Sequence, residues 1–204
     1  MAFVEPVTLR GTHVMLEPLA REHEAGLKDA AADGELWHLW YTSVPTPDKT
    51  LDWIDAALAM RENLGAMPFV VREPSSGDIV GSTRYFNVDP LHRRLEIGHT
   101  WYAKRVQRTA LNTQAKLLLL THAFETLDCI AVEFRTHFFN TASRKAIERL
   151  GAKLDGILRS HQRLADGSLR DTCVYSIIAS EWPAVRNHLQ WQLERPRPGY
   201  VQSG

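Results

Sequence analysis

No run of apolar residues in this sequence approaches a membrane span: the longest candidate, residues 117–120, is a short leucine run, whereas a helix needs roughly 20 residues to cross a bilayer. Nor is there an excess of charge of either sign. Lys plus Arg and Asp plus Glu number 24 each, so there is no global basic field to hold nucleic acid or an anionic membrane. Only two cysteines occur, Cys129 and Cys173, with no C-x-x-C and no neighbouring histidine pair. Two reduced core thiols are therefore expected, rather than a disulfide framework or a structural zinc. The nine histidines are scattered and none lies in a His-Glu-x-x-His helix, so no metal site is predicted. A Gly-x-Ser-x-Gly elbow is also missing, which removes the frame of a serine hydrolase. The opening Met-Ala-Phe-Val-Glu-Pro has neither the basic start nor the continuous apolar stretch of a secretory signal, and a cytoplasmic protein is expected.

What is there is ordinary for a globular chain. Of 204 residues, 44% are hydrophobic and 24% charged, enough for one well-filled α/β domain and short for two. Residues 1–194 are expected to form that domain, with a flexible tail over 195–204. Two short strands, 7–9 and 13–19, flank an Arg-Gly-Thr turn, and residues 21–32 read as a helix. A second helix should open at Thr46-Pro47-Asp48 and run to about Leu64. Residues 69–72 and 79–88, separated by Pro74-Ser75-Ser76-Gly77-Asp78, read as a hairpin. Asp89-Pro90 turns the chain into a third strand, 95–102. Residues 113–127 favour a helix apolar on most sides, hence buried on the sheet. A strand over 130–138 leads into a helix over 140–150 closed by Gly151. Asp166-Gly167 punctuates a hairpin between 157–164 and 169–178. A last helix opens at Ser180-Glu181-Trp182-Pro183.

Two stretches carry chemistry. In the first, the strand Leu95-Glu96-Ile97-Gly98-His99-Thr100-Trp101-Tyr102 runs through a polar loop, Lys104-Arg105-Val106-Gln107-Arg108-Thr109, directly into a helix. The unpaired N–H groups of a helix start, with basic side chains beside them, suit a pyrophosphate. The same residues also fit an ordinary solvated turn. In the second, Asn140-Thr141-Ala142-Ser143 starts a helix with Asn140 as its cap, and Ser143 falls on the stripe of Ile147 and Leu150. A hydroxyl is thus aimed inward at the end of a strand, as a functional group or as a buried capping serine.

Together these stretches resemble the GCN5-related N-acetyltransferase superfamily, and within it the branch of the ribosomal-protein alanine N-acetyltransferases. The resemblance runs from Leu9-Arg10-Gly11 through Ile79-Val80-Gly81-Ser82 to Tyr175-Ser176. It implies a central, mostly antiparallel mixed sheet flanked by helices. It implies acetyl-CoA as donor, no metal, and transfer to a primary amine in a ternary complex. That amine belongs to a protein N-terminus or a small molecule. Pairing as a homodimer is common in such proteins. The pyrophosphate loop of the family, Gln or Arg, two residues, Gly, one residue, Gly or Ala, corresponds here to Gln107-Arg108-Thr109-Ala110-Leu111-Asn112. Ala110 replaces the usual Gly; alanine accepts helical φ but not positive φ. Asn112-Thr113-Gln114 is expected to cap the helix, giving a loop adapted rather than lost.

By the same resemblance, the main chain of Trp101 and Tyr102 would pair with the pantetheine arm, and Asn140 would position it. The tyrosine many members use to protonate the leaving thiolate is replaced by Ile147, so Ser143 is the candidate, with Tyr175 next. Glu96 is the candidate base. Alternation sets it opposite the apolar Leu95, Ile97 and Trp101, where it could equally be a surface carboxylate paired with Arg93 or Arg94. Residues 37–42, Trp-His-Leu-Trp-Tyr-Thr, would wall the acceptor site or simply be core. The competing reading is a non-catalytic acyl-CoA-binding sensor.

Overall fold

The computed structural model describes residues 3–42 and 44–195. One eight-stranded sheet runs through it in the order β1-β2-β3-β4-β5-β6-β8-β7. The strands are β1 (Leu9–Arg10), β2 (Met15–Pro18), β3 (Met67–Arg72), β4 (Ile79–Asp89), β5 (Arg94–Tyr102), β6 (Ala131–His137), β7 (Lys153–Arg163) and β8 (Leu169–Ile178). Every pairing is antiparallel except β5 with β6. The helices are α1 (Glu24–Ala32), α2 (Thr50–Leu64), α3 (Ala110–Thr121), α4 (Thr141–Arg149) and α5 (Trp182–Glu194). This is the α/β architecture and element order expected from the sequence. Of the tail expected over 195–204, all but Arg195 lies outside the described residues.

Alternation along β4 separates the two faces. Tyr85 donates its hydroxyl to the Leu119 carbonyl of α3 at 2.6 Å. The neighbouring Arg84 instead stacks over Trp53 of α2, 5.4 Å from the ring centre. α3 therefore covers the back of the sheet and α2 the front. Between sheet and α3 the side chains of Tyr85, Leu95, Leu119 and Leu120 are essentially solvent-free. Full burial of each such aliphatic or aromatic group stabilises the fold by about 1.5–3 kcal/mol. Both cysteines are free and buried, as the sequence indicated.

Turn chemistry fixes the hairpins. Gly77 takes φ +78 in the β3–β4 loop and Gly167 φ +86 in the β7–β8 turn, the left-handed region a side chain resists. Gly81 answers a different need. A Cβ there would lie 2.1 Å from the Trp101 carbonyl, so only glycine lets β4 approach β5 at this point.

Two expectations need correction. The long buried helix starts at Ala110, not Thr113, and ends at Thr121 in a π-helical turn over His122–Thr126. Its cap is Thr109, whose Oγ1 accepts the Leu111 N–H at 3.3 Å; Asn112 lies within the first turn. The second concerns β5. Arg84 pairs with Gly98, but Ser82 pairs with Trp101, one residue out of step. The extra residue sits at a bulge where His99 takes φ +49. After the bulge the alternation is inverted. Trp101 therefore faces α2, ring to ring with Trp53 at 5.9 Å, on the same side as Glu96 rather than opposite it.

Candidate functional site

The parallel strands β5 and β6 pair only over Arg94–Glu96 against Ala131–Glu133. Beyond that point β6 continues against β8 and β5 continues against β4, so the two diverge and leave a fork in the sheet. The bulge at His99 bends β5 at this place. One arm of the fork leads through Trp101 and Tyr102 to the start of α3, the other through His137 to the start of α4. Glu96 lies at the base of the fork, Trp101, Tyr102 and residues 107–113 along the first arm, and Asn140 and Ser143 at the end of the second.

Glu96 stands at the base. It is 3% exposed, accepts a hydrogen bond from Asn87 Nδ2 at 2.9 Å, and lies 3.4 Å from Nε of Arg135. Burial pushes its carboxyl up to about 7, outweighing the Asn87 hydrogen bond and the Arg135 charge, both of which favour the anion. Neither Arg93 nor Arg94 is its partner. Arg93 binds the carbonyls of Leu127 and Asp128, and Arg94 pairs with Glu133. A cavity of ≈ 330 Å³ opens beside it, lined by Asn87, Arg94, Glu133 and Arg135 among others. Asn87 and Arg135 were not picked out in the sequence. Asn87 holds φ +47 at the end of β4, a local signal only three-dimensional pairing makes readable.

On the first arm, Gln107 Nε2 donates to the Tyr102 carbonyl at 3.0 Å, folding the loop back on its own strand. The left-handed residue of this loop is Arg108, at φ +63, whereas Ala110 is the first residue of α3. The alanine at the family's glycine position thus sits in helical backbone and carries no conformational penalty. Arg105 is tied down, its Nη2 on Asp78 at 2.8 Å and its N–H on Asp33 at 3.1 Å. Leu111 and Thr113 are buried, so the first turn of α3 offers main-chain donors rather than these side chains. Trp101 and Tyr102 are also buried, and the indole N–H and phenol O–H lack partners among the described residues.

On the second arm, Asn140 Oδ1 accepts the Ser143 N–H at 3.0 Å, a true N-cap. Ser143 is half-buried, one turn before the buried Ile147. Tyr175 is fully buried and committed elsewhere: its hydroxyl donates to Glu148 Oε1 at 2.8 Å and accepts from Arg144 Nε at 3.0 Å. His137, at the end of β6, accepts the Phe139 N–H on Nδ1 at 3.0 Å. Trp40 packs edge-on to that imidazole at 4.9 Å and Tyr41 lies at 6.3 Å. Of the 37–42 segment, these two reach the fork, while Trp37 packs against the core. Among the described residues no three His, Cys, Asp or Glu side chains are grouped to hold a metal, and no helix is long and apolar enough to cross a membrane.

Comparison with known proteins places this geometry. Residues 13–153 match the family described as the acetyltransferase (GNAT) domain. The "Putative ribosomal N-acetyltransferase YdaF" of Bacillus subtilis (strain 168) is 32% identical over 106 residues, a match spanning 52% of this chain and 57% of that protein. Among solved structures, a GCN5-related N-acetyltransferase from Brucella melitensis superposes with a TM-score of 0.84 at 29% identity, over 98% of this chain and 90% of that one. A "putative acetyltransferase" from T. thermophilus gives a TM-score of 0.81 at 33% identity, over 93% and 98% respectively.

Proposed function

Because the chain belongs to the GNAT acetyltransferase family, whose members take the acetyl group from acetyl-CoA, we propose that it acetylates a primary amine in a ternary complex, with Glu96 as base. The acceptor is the N-terminal amine of a protein, in keeping with the relative named as a ribosomal N-acetyltransferase. The observation that carries this reading is the fork itself: a buried carboxylate at its base, an N-terminal helix turn on one arm and a half-buried serine on the other.

The residues present fit acetyl-CoA. The first turn of α3 supplies unpaired N–H groups beside Arg108, suited to a diphosphate. Among the described residues the β5 edge from Ile97 to Trp101 has no partner strand on the β6 side, which leaves main chain for a pantetheine amide. Acetyl-CoA supplies an activated thioester carbonyl. Glu96, with its carboxyl near 7, is matched to an α-amino group of pKa about 7.7–8.0, which is on the order of 10% neutral at pH 7. Its task is to take one proton from the ammonium or from the attacking amine. Ser143 offers its hydroxyl hydrogen to the departing sulfur. A thiol pKa of about 8.5 makes that sulfur a tolerable leaving group, so a hydrogen bond is enough.

The test is incubation with acetyl-CoA and a panel of peptide and small amines, monitored as free thiol, beside a thermal-shift titration with CoA. Acetyl-CoA-dependent thiol release with an N-terminal peptide, and a melting point rising with the logarithm of CoA concentration, is the expected result. No release with any amine would refute the reading.

A further inference from the structure

Arg84 is a buried charge without a counter-ion among the described residues. It is 3% exposed, yet no carboxylate among the described residues pairs with it. Among the described residues its guanidinium contacts the Met60 sulfur, 3.0 Å from Nη1, and the face of Trp53, while its Nε–H is buried with no acceptor. Trp101, delivered to the same face by the β5 bulge, packs edge-on to Trp53 and has a buried indole N–H that also lacks a partner among the described residues. A sulfur and a ring are poor substitutes for the water a guanidinium gives up, and a buried cation is costly unless an anion meets it. Two orphaned donors packed against one tryptophan, with Arg84 paired to Gly98 across the sheet, therefore form a receptor that lacks its acceptor. The flat donor fork of arginine matches a carboxylate edge to edge.

We propose that Arg84, with the Trp101 indole N–H, binds a carboxylate carried by one of the two substrates. This rests on the transferase reading and extends it: the enzyme would prefer a carboxylate-bearing acyl chain or a carboxylate-bearing acceptor. Gly98 lets the Phe86 ring, which packs on His99 at 4.8 Å, lie close over β5 beside Arg84: a side chain at 98 would come within 2.6 Å of it. Neutral analogues would leave the buried donors unpaired, and sites built to hydrogen-bond a substrate discriminate strongly against analogues lacking the group.

The experiment compares charged and neutral partners on each side. For the acyl side, succinyl-CoA is set against acetyl-CoA. For the acceptor side, glycine is set against glycinamide as the amine, and N-acetylglycine against N-acetylglycinamide as binding probes followed by tryptophan fluorescence. Each is run on the wild type, Arg84→Met and Arg84→Lys. We expect one charged member to be favoured by roughly 100-fold in kcat/KM or affinity, and the preference to collapse in both variants. Arg84→Met should unfold at the same or a higher temperature than the wild type, because an uncompensated charge has been removed. The side that responds identifies the source of the carboxylate. Equal response to charged and neutral members in the wild type overturns the proposal, as does a uniform loss across all substrates in Arg84→Lys. If transfer is absent with every amine but the fluorescence still separates N-acetylglycine from its amide, the transferase reading fails and the carboxylate site stands.

Discussion

Asn87 donates from Nδ2 to Glu96 Oε2 at 2.9 Å, a hydrogen bond that favours the charged carboxylate inside an environment that otherwise resists it. Burial is the larger effect and leaves the carboxyl at about 7. The rate profile should follow. kcat/KM is expected to rise with pH through an apparent pKa near 7 as Glu96 loses its proton. Asn87→Gly keeps the left-handed backbone but deletes the donor, so the same limb should move to higher pH. Glu96→Gln should abolish it. An unchanged pH profile in Glu96→Gln would remove Glu96 as the base.

The conformation of Arg108 separates stability from binding. A non-glycine residue at φ +63 costs roughly 1–2 kcal/mol, so Arg108→Gly should raise the unfolding midpoint or leave it unchanged. The same variant should bind acetyl-CoA more weakly and with a shallower salt dependence if, as proposed, Arg108 faces the diphosphate. Ala110→Gly, placed at the first helical position, should bring no gain in affinity. Calorimetric titration at two salt concentrations beside a thermal melt measures both, and parallel losses in stability and affinity would contradict it.

Most of the fold was legible because punctuation is local. Pro74 to Asp78, Asp89-Pro90 and Asp166-Gly167 mark turns whatever the rest of the chain does, and Asn140 caps its helix from three residues away. The missed features depend on distant partners. Nothing near His99 announces a bulge; it exists because β5 must pair with β4 on one side and leave β6 on the other. One inserted residue then turned Trp101 to the face of Glu96. The start of α3 was misplaced because Asn112 is the stronger capping residue type in isolation, yet Thr109 is the one at the end of the Gln107 loop that folds back on Tyr102. Nothing in the sequence singles out Arg84; only its burial shows a charge without a counter-ion among the described residues.

Ser143 and Asn140 share one turn of α4 but should fail differently. Ser143→Ala removes a hydroxyl that has no partner among the described residues, so the fold should be indifferent. kcat should fall roughly 10–100-fold with acetyl-CoA affinity nearly intact, the signature of a contact made in the transition state. Asn140→Ala deletes the cap and should cost about 1 kcal/mol of stability. Normal turnover in Ser143→Ala would direct the search for the proton donor away from α4, and away from Tyr175, whose hydroxyl is already held by Glu148 and Arg144.

Lys116 and Glu96 contribute to the pH dependence of stability with opposite signs. Lys116 Nζ is buried on α3, donating to Thr100 Oγ1 at 2.8 Å and Thr83 Oγ1 at 3.2 Å, and burial lowers its pKa from 10.5 to about 7. Between pH 7 and 10.5 the unfolded chain holds this proton and the folded chain does not, so stability rises with pH across that window. Glu96 acts in the opposite sense. Its folded pKa is raised from 4.5 to about 7, so its contribution is present below 4.5 and is lost as pH rises through 7. His99 opposes Glu96 below neutrality: burial lowers its pKa from 6.5 to about 4, so its contribution grows as pH rises from 4 through 6.5. Urea midpoints should therefore change little from pH 5 to 7 and climb from 7 to 9. Lys116→Met should flatten the upper limb. It should be neutral or up to about 2 kcal/mol stabilising at pH 7, since the hydroxyls of Thr83 and Thr100 already lie 2.8 Å apart and can bond each other. Glu96→Gln should leave the upper limb unchanged and let stability rise from pH 5 to 7, because the His99 contribution is then unopposed. A wild-type midpoint that did not climb between pH 7 and 9 would show that Lys116 does not control the upper limb.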